Sequence, residues 1–348
     1  MDTSPPTSPA PTATTSRDYG LADSGCPVHA ATIGVADLAR SSALYREQLG
    51  LDLLGEQRLS GRAFETHWGL PPGSTATLQV LGEARFPCGR LALIEFDAPG
   101  RRRVREIEDQ SRFGLINLNF YSDDIFAHSR RLEAAGCAPW SEPQEHDMGA
   151  MGKPIEVMLE GPDGIVINLI ELRGDPGARV LRTRAWIDDH GGFNRCGTTP
   201  MVTTSHHVKE YDPAREFYTR VLGMSVRNDL VLGGENMERF TRYPRGARAR
   251  DTYLQGNHVY GKIALMHPLN FACEDVIPKA VAPNIGYLAQ TFLVDDLAAT
   301  LALAAQVGAT TFSPPVEMEL APLGRVTAAI VRNPGSGALQ ELIEAPRR

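Results

Sequence analysis

Leu115-Ile-Asn-Leu-Asn-Phe-Tyr121 is followed by Asp123-Asp124-Ile125 and by a run that ends at Ala134-Ala135-Gly136. The stretch decides the fold because it returns. Thr291-Phe-Leu-Val294 precedes Asp295-Asp296-Leu297, and that run ends at Val307-Gly308-Ala309, with the same spacing from Asp to Gly. Each reads as a strand and then a helix. Acidic residues at the helix start meet its free N–H groups and its dipole, and glycine caps its end. Closing strands follow at 154–159 with 165–172, and at 326–332 with 338–343. They are joined through Gly161-Pro-Asp-Gly164 and Asn333-Pro-Gly-Ser-Gly337, both strong turn sequences.

A second pair of units precedes these. Ala31-Thr-Ile-Gly-Val-Ala-Asp37 leads into a helix over 38–48 and then Leu49-Gly50-Leu51. Val208-Lys-Glu-Tyr-Asp212 leads into a helix that opens with Pro213, a favoured first-turn residue, and closes at Leu222-Gly223-Met224. The grammar is therefore strand–helix–strands, four times, an α+β organisation whose sheets curl around clefts. Read in chain order, the units pair as two halves, 27–173 and 201–346. Residues 174–200, with scattered Gly, Asp and Pro, are the expected linker. Residues 1–26, beginning in a Pro-, Thr- and Ser-rich run, are the expected disordered tail.

The 348 residues suffice for two cores, and 42% hydrophobic with 22% charged residues is ordinary for a globular chain. No apolar run reaches the ~20 residues a membrane span needs, so no membrane partner is expected. Five widely spaced cysteines with no CxxC pair suggest neither a disulfide framework nor a thiolate zinc site, which makes a reducing, cytoplasmic setting the default. Net charge is −7 and the arginines cluster only at 101, 102, 103 and 105, so nucleic acid is not an expected partner either.

Together these motifs resemble the vicinal oxygen chelate superfamily, which includes glyoxalase I, bleomycin-resistance proteins and extradiol dioxygenases. The carrying residues are Val35-Ala-Asp-Leu with Leu44-Tyr45 and Leu49-Gly50, Lys209-Glu-Tyr-Asp with Phe217-Tyr218 and Leu222-Gly223, the two Asp-Asp-(Ile/Leu) helix starts, and Gly161-Pro-Asp-Gly164. The resemblance implies four βαβββ modules paired into two half-barrel domains. Each cavity would hold a divalent metal (Fe, Zn, Ni, Co or Mn), held by residues on the first and last strands of a module and chelated by substrate oxygens.

Mapped onto this sequence, the first half has Ala30 at the first-strand ligand position, beside His29, with Glu95 at the carboxylate position and Asn117 and Asn168 at the remaining two. Neutral amides are poor ligands, so Glu95, Asn117 and Asn168 are expected as pocket residues. In the second half His267 aligns with Glu95, and Glu341 stands four residues after Gly337. The first-strand position is Thr203. By alternation His207 shares its face, roughly 13 Å further along a strand at ~3.3 Å per residue. His207, His267 and Glu341 would make a two-histidine, one-carboxylate metal set with Glu341 also catalytic, and His206 is either a pocket or a surface neighbour. Ala289 stands where extradiol dioxygenases keep a histidine, with Gln290 beside it as a pocket candidate. His67, His258 and the loop groups Glu145-His146-Asp147, Glu317 and Glu319 read as packing or polar-loop residues.

The expected function is a metal-dependent isomerase, epimerase or lyase acting on a small oxygenated molecule in the second half. The alternatives are an extradiol-type ring-cleaving dioxygenase and a metal-free small-molecule binding or resistance protein. The family also admits homodimers.

Overall fold

The computed structural model describes residues 24–106 and 111–345. Residues 1–23 of the expected tail lie outside the described residues. Gly25 and Cys26 belong to the fold instead: the Asn257 N–H donates to the Gly25 carbonyl (3.1 Å) and the Cys26 N–H to the Leu222 carbonyl (2.8 Å).

Module one runs β1 (Ala30–Gly34), α1 (Leu38–Gln48), β2 (Asp52–Ser60), α2 (Gly61–Trp68), β3 (Thr75–Gly82) and β4 (Arg90–Phe96). Module two has β5 (Arg112–Ser122), α3 (Ile125–Ala134), the two-residue β6 (Ala138–Pro139) and β7 (Gln144–Glu145), β8 (Ile155–Glu160) and β9 (Val166–Glu171). A helix follows, α4 (Arg179–Asp189). Module three has β10 (Thr198–His207), α5 (Tyr211–Glu216) with a π-helical continuation, β11 (Ser225–Gly233), α6 (Glu235–Thr241), β12 (Arg248–Gln255) and β13 (Lys262–Pro268). After the short β14 (Glu274–Asp275), module four has β15 (Gly286–Leu293), α7 (Leu297–Gln306), β16 (Thr310–Leu320), β17 (Gly324–Arg332) and β18 (Leu339–Glu344). Asp37, Asp124 and Asp296 cap α1, α3 and α7, each side chain accepting from the backbone N–H three residues on. A cap of this kind contributes about 1 kcal/mol.

The four modules form two sheets, but not along the expected halves. One sheet has the order β16-β17-β18-β15-β1-β4-β3-β2, joining module four to module one. The other has β11-β12-β13-β10-β5-β9-β8-β6, joining module three to module two. The seams are antiparallel, with Ala30 opposite Thr291 and Leu118 opposite Thr204. Units 27–173 and 201–346 are thus interleaved. The physical reason is that each first strand offers a similar apolar edge, and side-chain alternation fixes which face is buried but not which strand pairs there.

Ala31, Ile33, Leu91 and Leu93 of one sheet and Phe120, Ile263 and Leu265 of the other join Tyr45, Leu132 and Ala304 from the helices in one buried core. Helices α1, α3, α5 and α7 lie on this shared side, so each curved sheet turns its other face to a cavity of its own, which α2 or α6 helps to wall. The expected linker is structured as well. Within it α4 packs the Trp186 ring against Phe86 (5.9 Å) and Tyr260 (5.5 Å), and β10 has already begun at Thr198.

Candidate functional site

The last strands of the modules carry a repeated pair of positions three residues apart, which alternation sends to opposite faces. The outer member serves the helices. Glu95 accepts from the Leu38 N–H (3.0 Å), Glu171 from the Ile125 N–H (3.0 Å) and Glu344 from the Leu297 N–H (2.8 Å). In module three the same position is His267, whose Nδ1 lies 3.2 Å from the Val208 carbonyl. Glu95 and His267 are therefore equivalent, as aligned, but both face the helix side. The cavity-facing members are Ala92, Asn168, Ala264 and Glu341, paired in the sheets with Thr32, Asn119, Ser205 and Thr291.

In the sheet of modules one and four the cavity is a narrow chamber of about 40 Å³, walled mainly by apolar side chains such as Leu59, Trp68, Leu78 and Met318. Its polar centre is Glu341. The His67 Nε2 lies 2.8 Å from one carboxylate oxygen, and the Thr291 hydroxyl donates to the other at 2.6 Å. Thr32 lies 3.0 Å from that hydroxyl. His29 also lines the chamber, and burial, reinforced by Arg90, pushes its pKa down to about 4. His67, which the sequence marks as a packing residue, is thus the partner of Glu341.

The cavity of modules two and three holds about 270 Å³ and is far more polar. Asn117, Asn119 and Asn168 line it, and Glu156 of β8 and Asp251 of β12 enter it with His146 and Tyr253. Asn168 Nδ2 donates to Glu156 at 2.9 Å. Burial, then the negative charge of Glu156, pushes the Asp251 carboxyl up to about 8, while its contact with the Tyr253 hydroxyl acts in the opposite direction. Burial also raises Glu156, but His146 and Asn168 favour its ionised form. Both acids are thus raised, and Asp251, at about 8, is mainly protonated at neutral pH. Asp251 Oδ1, Asn117 Oδ1, Asn168 Oδ1 and His146 Nε2 are buried without a hydrogen-bond partner. Such groups in a cavity call for water or a polar ligand. Methionines 148, 158, 237 and 266, with Phe240, supply the apolar remainder.

The residues expected as a metal set are not brought together. His207 is buried on the cavity side of β10 beneath the Tyr243 ring (6.3 Å), His267 lies on the opposite face of the same sheet, and Glu341 belongs to the other sheet. His206 and Gln290, expected in a pocket, are packed between the sheets. The Tyr218 hydroxyl donates to Gln290 Oε1 (2.7 Å) and lies 2.6 Å from His206 Nδ1, and His206 Nε2 lies 2.8 Å from the Ser336 hydroxyl. Burial, then His207, lowers the His206 pKa to about 3, so it stays neutral. Among the described residues no three His, Cys, Asp or Glu side chains are grouped to hold a metal ion. At the paired strand centres one cavity offers a single carboxylate already engaged by His67 and Thr291, and the other offers amides, a hydroxyl and Ala264. These donors do not fit a divalent metal with open positions.

A family model described as Glyoxalase/Bleomycin resistance protein/Dioxygenase superfamily matches residues 27–169. Residues 27–169 belong to that superfamily. The fold of this glyoxalase superfamily extends over nearly the whole chain. The structure is similar to glyoxalase I from Zea mays, with a TM-score of 0.57 at 14% identity over 92% of each chain. It is also similar to a protein from Bacillus subtilis subsp. subtilis str. 168 named for a dioxygenase, with a TM-score of 0.56 at 12% identity over 94% of this chain and 87% of that one. At these identities the likeness is one of fold. No curated protein matches the sequence. All five cysteines are free thiols, and no helix among the described residues is long and apolar enough to cross a membrane.

Proposed function

We propose that the protein is an acid–base enzyme that moves a proton on a small oxygenated molecule, as an isomerase, epimerase or lyase, in the cavity of modules two and three. The observation that carries this reading is the pairing of Glu156 with Asp251 in one polar cavity, with Asp251 held protonated and His146 and Asn168 set to favour the ionised form of Glu156. Glu156 takes a proton from a carbon next to a carbonyl, and the electron pair moves to the carbonyl oxygen. The protonated Asp251 donates to that oxygen as its charge develops. Protonation of the same carbon on its other face by a solvent-derived proton gives an epimer, and return of the proton from Glu156 to the former carbonyl carbon, with the adjoining hydroxyl giving its proton to Asp251, gives an isomer. Loss of a leaving group from the carbon beta to the carbonyl, with the enolate electron pair forming the new double bond, gives a lyase product. The Asn117, Asn119 and Asn168 amides are placed to orient substrate oxygens.

Exchange in D2O tests this. Small carbonyl compounds with an acidic C–H are incubated with the protein and deuterium uptake is followed by mass spectrometry. Uptake is expected with the wild type and should fall about 10²–10⁴-fold in Glu156→Gln and Asp251→Asn. Absence of protein-dependent uptake from every compound sinks the reading. Four methionines in the cavity wall favour a second one, an adaptable binding or sequestering protein. It predicts tight binding with no exchange.

A further inference from the structure

The cavity of Asp251 and Glu156 does not end at those acids. Met148, Glu156 and Tyr253 also line a neighbouring space of about 300 Å³, so the two lie side by side. The adjoining wall is basic. Helix α4 brings Arg179 and Arg182, one turn apart, strand β11 brings Arg227, and β13 brings Lys262. Four cations from three elements converge there in a chain whose net charge is −7. Nearby arginines outside this wall have carboxylates of their own, Arg184 with Asp188 (3.1 Å) and Arg173 with Glu171 (2.7 Å). Among the described residues no carboxylate engages Arg179 or Arg182. The cations are close enough to act on one another: burial first, and then the charges of Arg182 and Arg179, disfavour the charged form of Arg227. Lys262 is aimed by its bond to the Tyr121 hydroxyl (2.8 Å).

Resting on the reading of this cavity as the active site, we propose that the substrate is a small organic acid whose carboxylate or phosphate sits among Arg179, Arg182, Arg227 and Lys262 while its uncharged oxygenated end reaches Asp251 and Glu156. Guanidinium forks match both anions bidentately. Glu156 lies between the two spaces, and in its ionised form it repels an anion, which holds the charged end at the basic wall.

Isothermal titration of the full chain with benzoate, phenyl phosphate and benzyl alcohol tests the proposal in the wild type, in the double variant Arg182→Gln/Arg227→Gln and in Asp251→Asn. At least one anion should bind tenfold or more tightly than the alcohol and weaken when salt is raised to about 0.5 M. The tighter of the two anions identifies the acid class. The double variant should lose that preference with alcohol binding unchanged, and Asp251→Asn should keep it. Equal affinities for anions and alcohol, no anion binding, or an undiminished preference in the double variant overturns the proposal. Because these outcomes do not depend on proton exchange, a failure of the acid–base reading leaves its own signature, anion preference without deuterium uptake.

Discussion

Asp251→Asn should make the protein more stable at neutral pH while disabling it. The Asp251 carboxyl titrates near 3.8 in an unfolded chain and is pushed up to about 8 in the fold. Below pH 3.8 both states carry the proton and the group is neutral to stability. Between these values the native state retains a proton that the unfolded chain releases, so stability falls as pH rises, by about 1.4 kcal/mol per unit, and levels off above the folded pKa. From pH 4 to pH 7 this amounts to as much as about 4 kcal/mol. Asparagine has nearly the same shape and nothing to ionise, so the variant lacks this slope. Urea unfolding of both proteins at pH 5, 6, 7 and 8 reads the term together with its coupling to Glu156, because titrations remote from Asp251 cancel in the difference. The variant's advantage should grow with each unit to about pH 8 and then hold. Parallel curves would refute the reasoning, since they would place Asp251 in the ordinary carboxylate range.

The interior histidines behave in the opposite sense. His206, lowered to about 3, and His29 and His258, each lowered to about 4, are neutral in the fold. Their contribution is complete above about pH 6.5 and is lost as pH falls toward the folded values. His206→Gln should flatten the acid limb by about 1.4 kcal/mol per unit between pH 6 and 4, read by urea unfolding. Glu344→Ala frees the Leu297 N–H at the start of α7 and should cost about 1 kcal/mol of stability with deuterium uptake unchanged. His67→Ala leaves buried Glu341 with Thr291 and an opened chamber, and should cost about 3 kcal/mol, again without loss of uptake.

The modules were legible because their punctuation is local. Asp37, Asp124 and Asp296 cap helices where their spacing says they should, and Gly136 and Gly308 follow the helix ends with positive φ. The pairing of modules was not legible, because a strand edge carries no label for a partner 86 residues away, as in Leu118 to Thr204, or 261 residues away, as in Ala30 to Thr291. Glu95 and His267 show a finer failure. Their equivalence could be read from the repeat, but an odd offset of three residues from Ala92 and Ala264 puts them on the helix face. Glu156 and Asp251 did leave a trace, as acids within strands beside buried residues, Ile155 and Val157 in one case and Thr252 in the other. That trace becomes a site only once β8 and β12 are known to share a sheet.

The central claim is that chemistry belongs to the cavity of modules two and three rather than to the Glu341 chamber. Deuterium uptake measured side by side in Glu156→Gln and Glu341→Gln tests it most directly. Loss of about 10²–10⁴-fold is expected in Glu156→Gln, with near wild-type uptake in a folded Glu341→Gln. Uptake retained in Glu156→Gln and abolished in Glu341→Gln would contradict it.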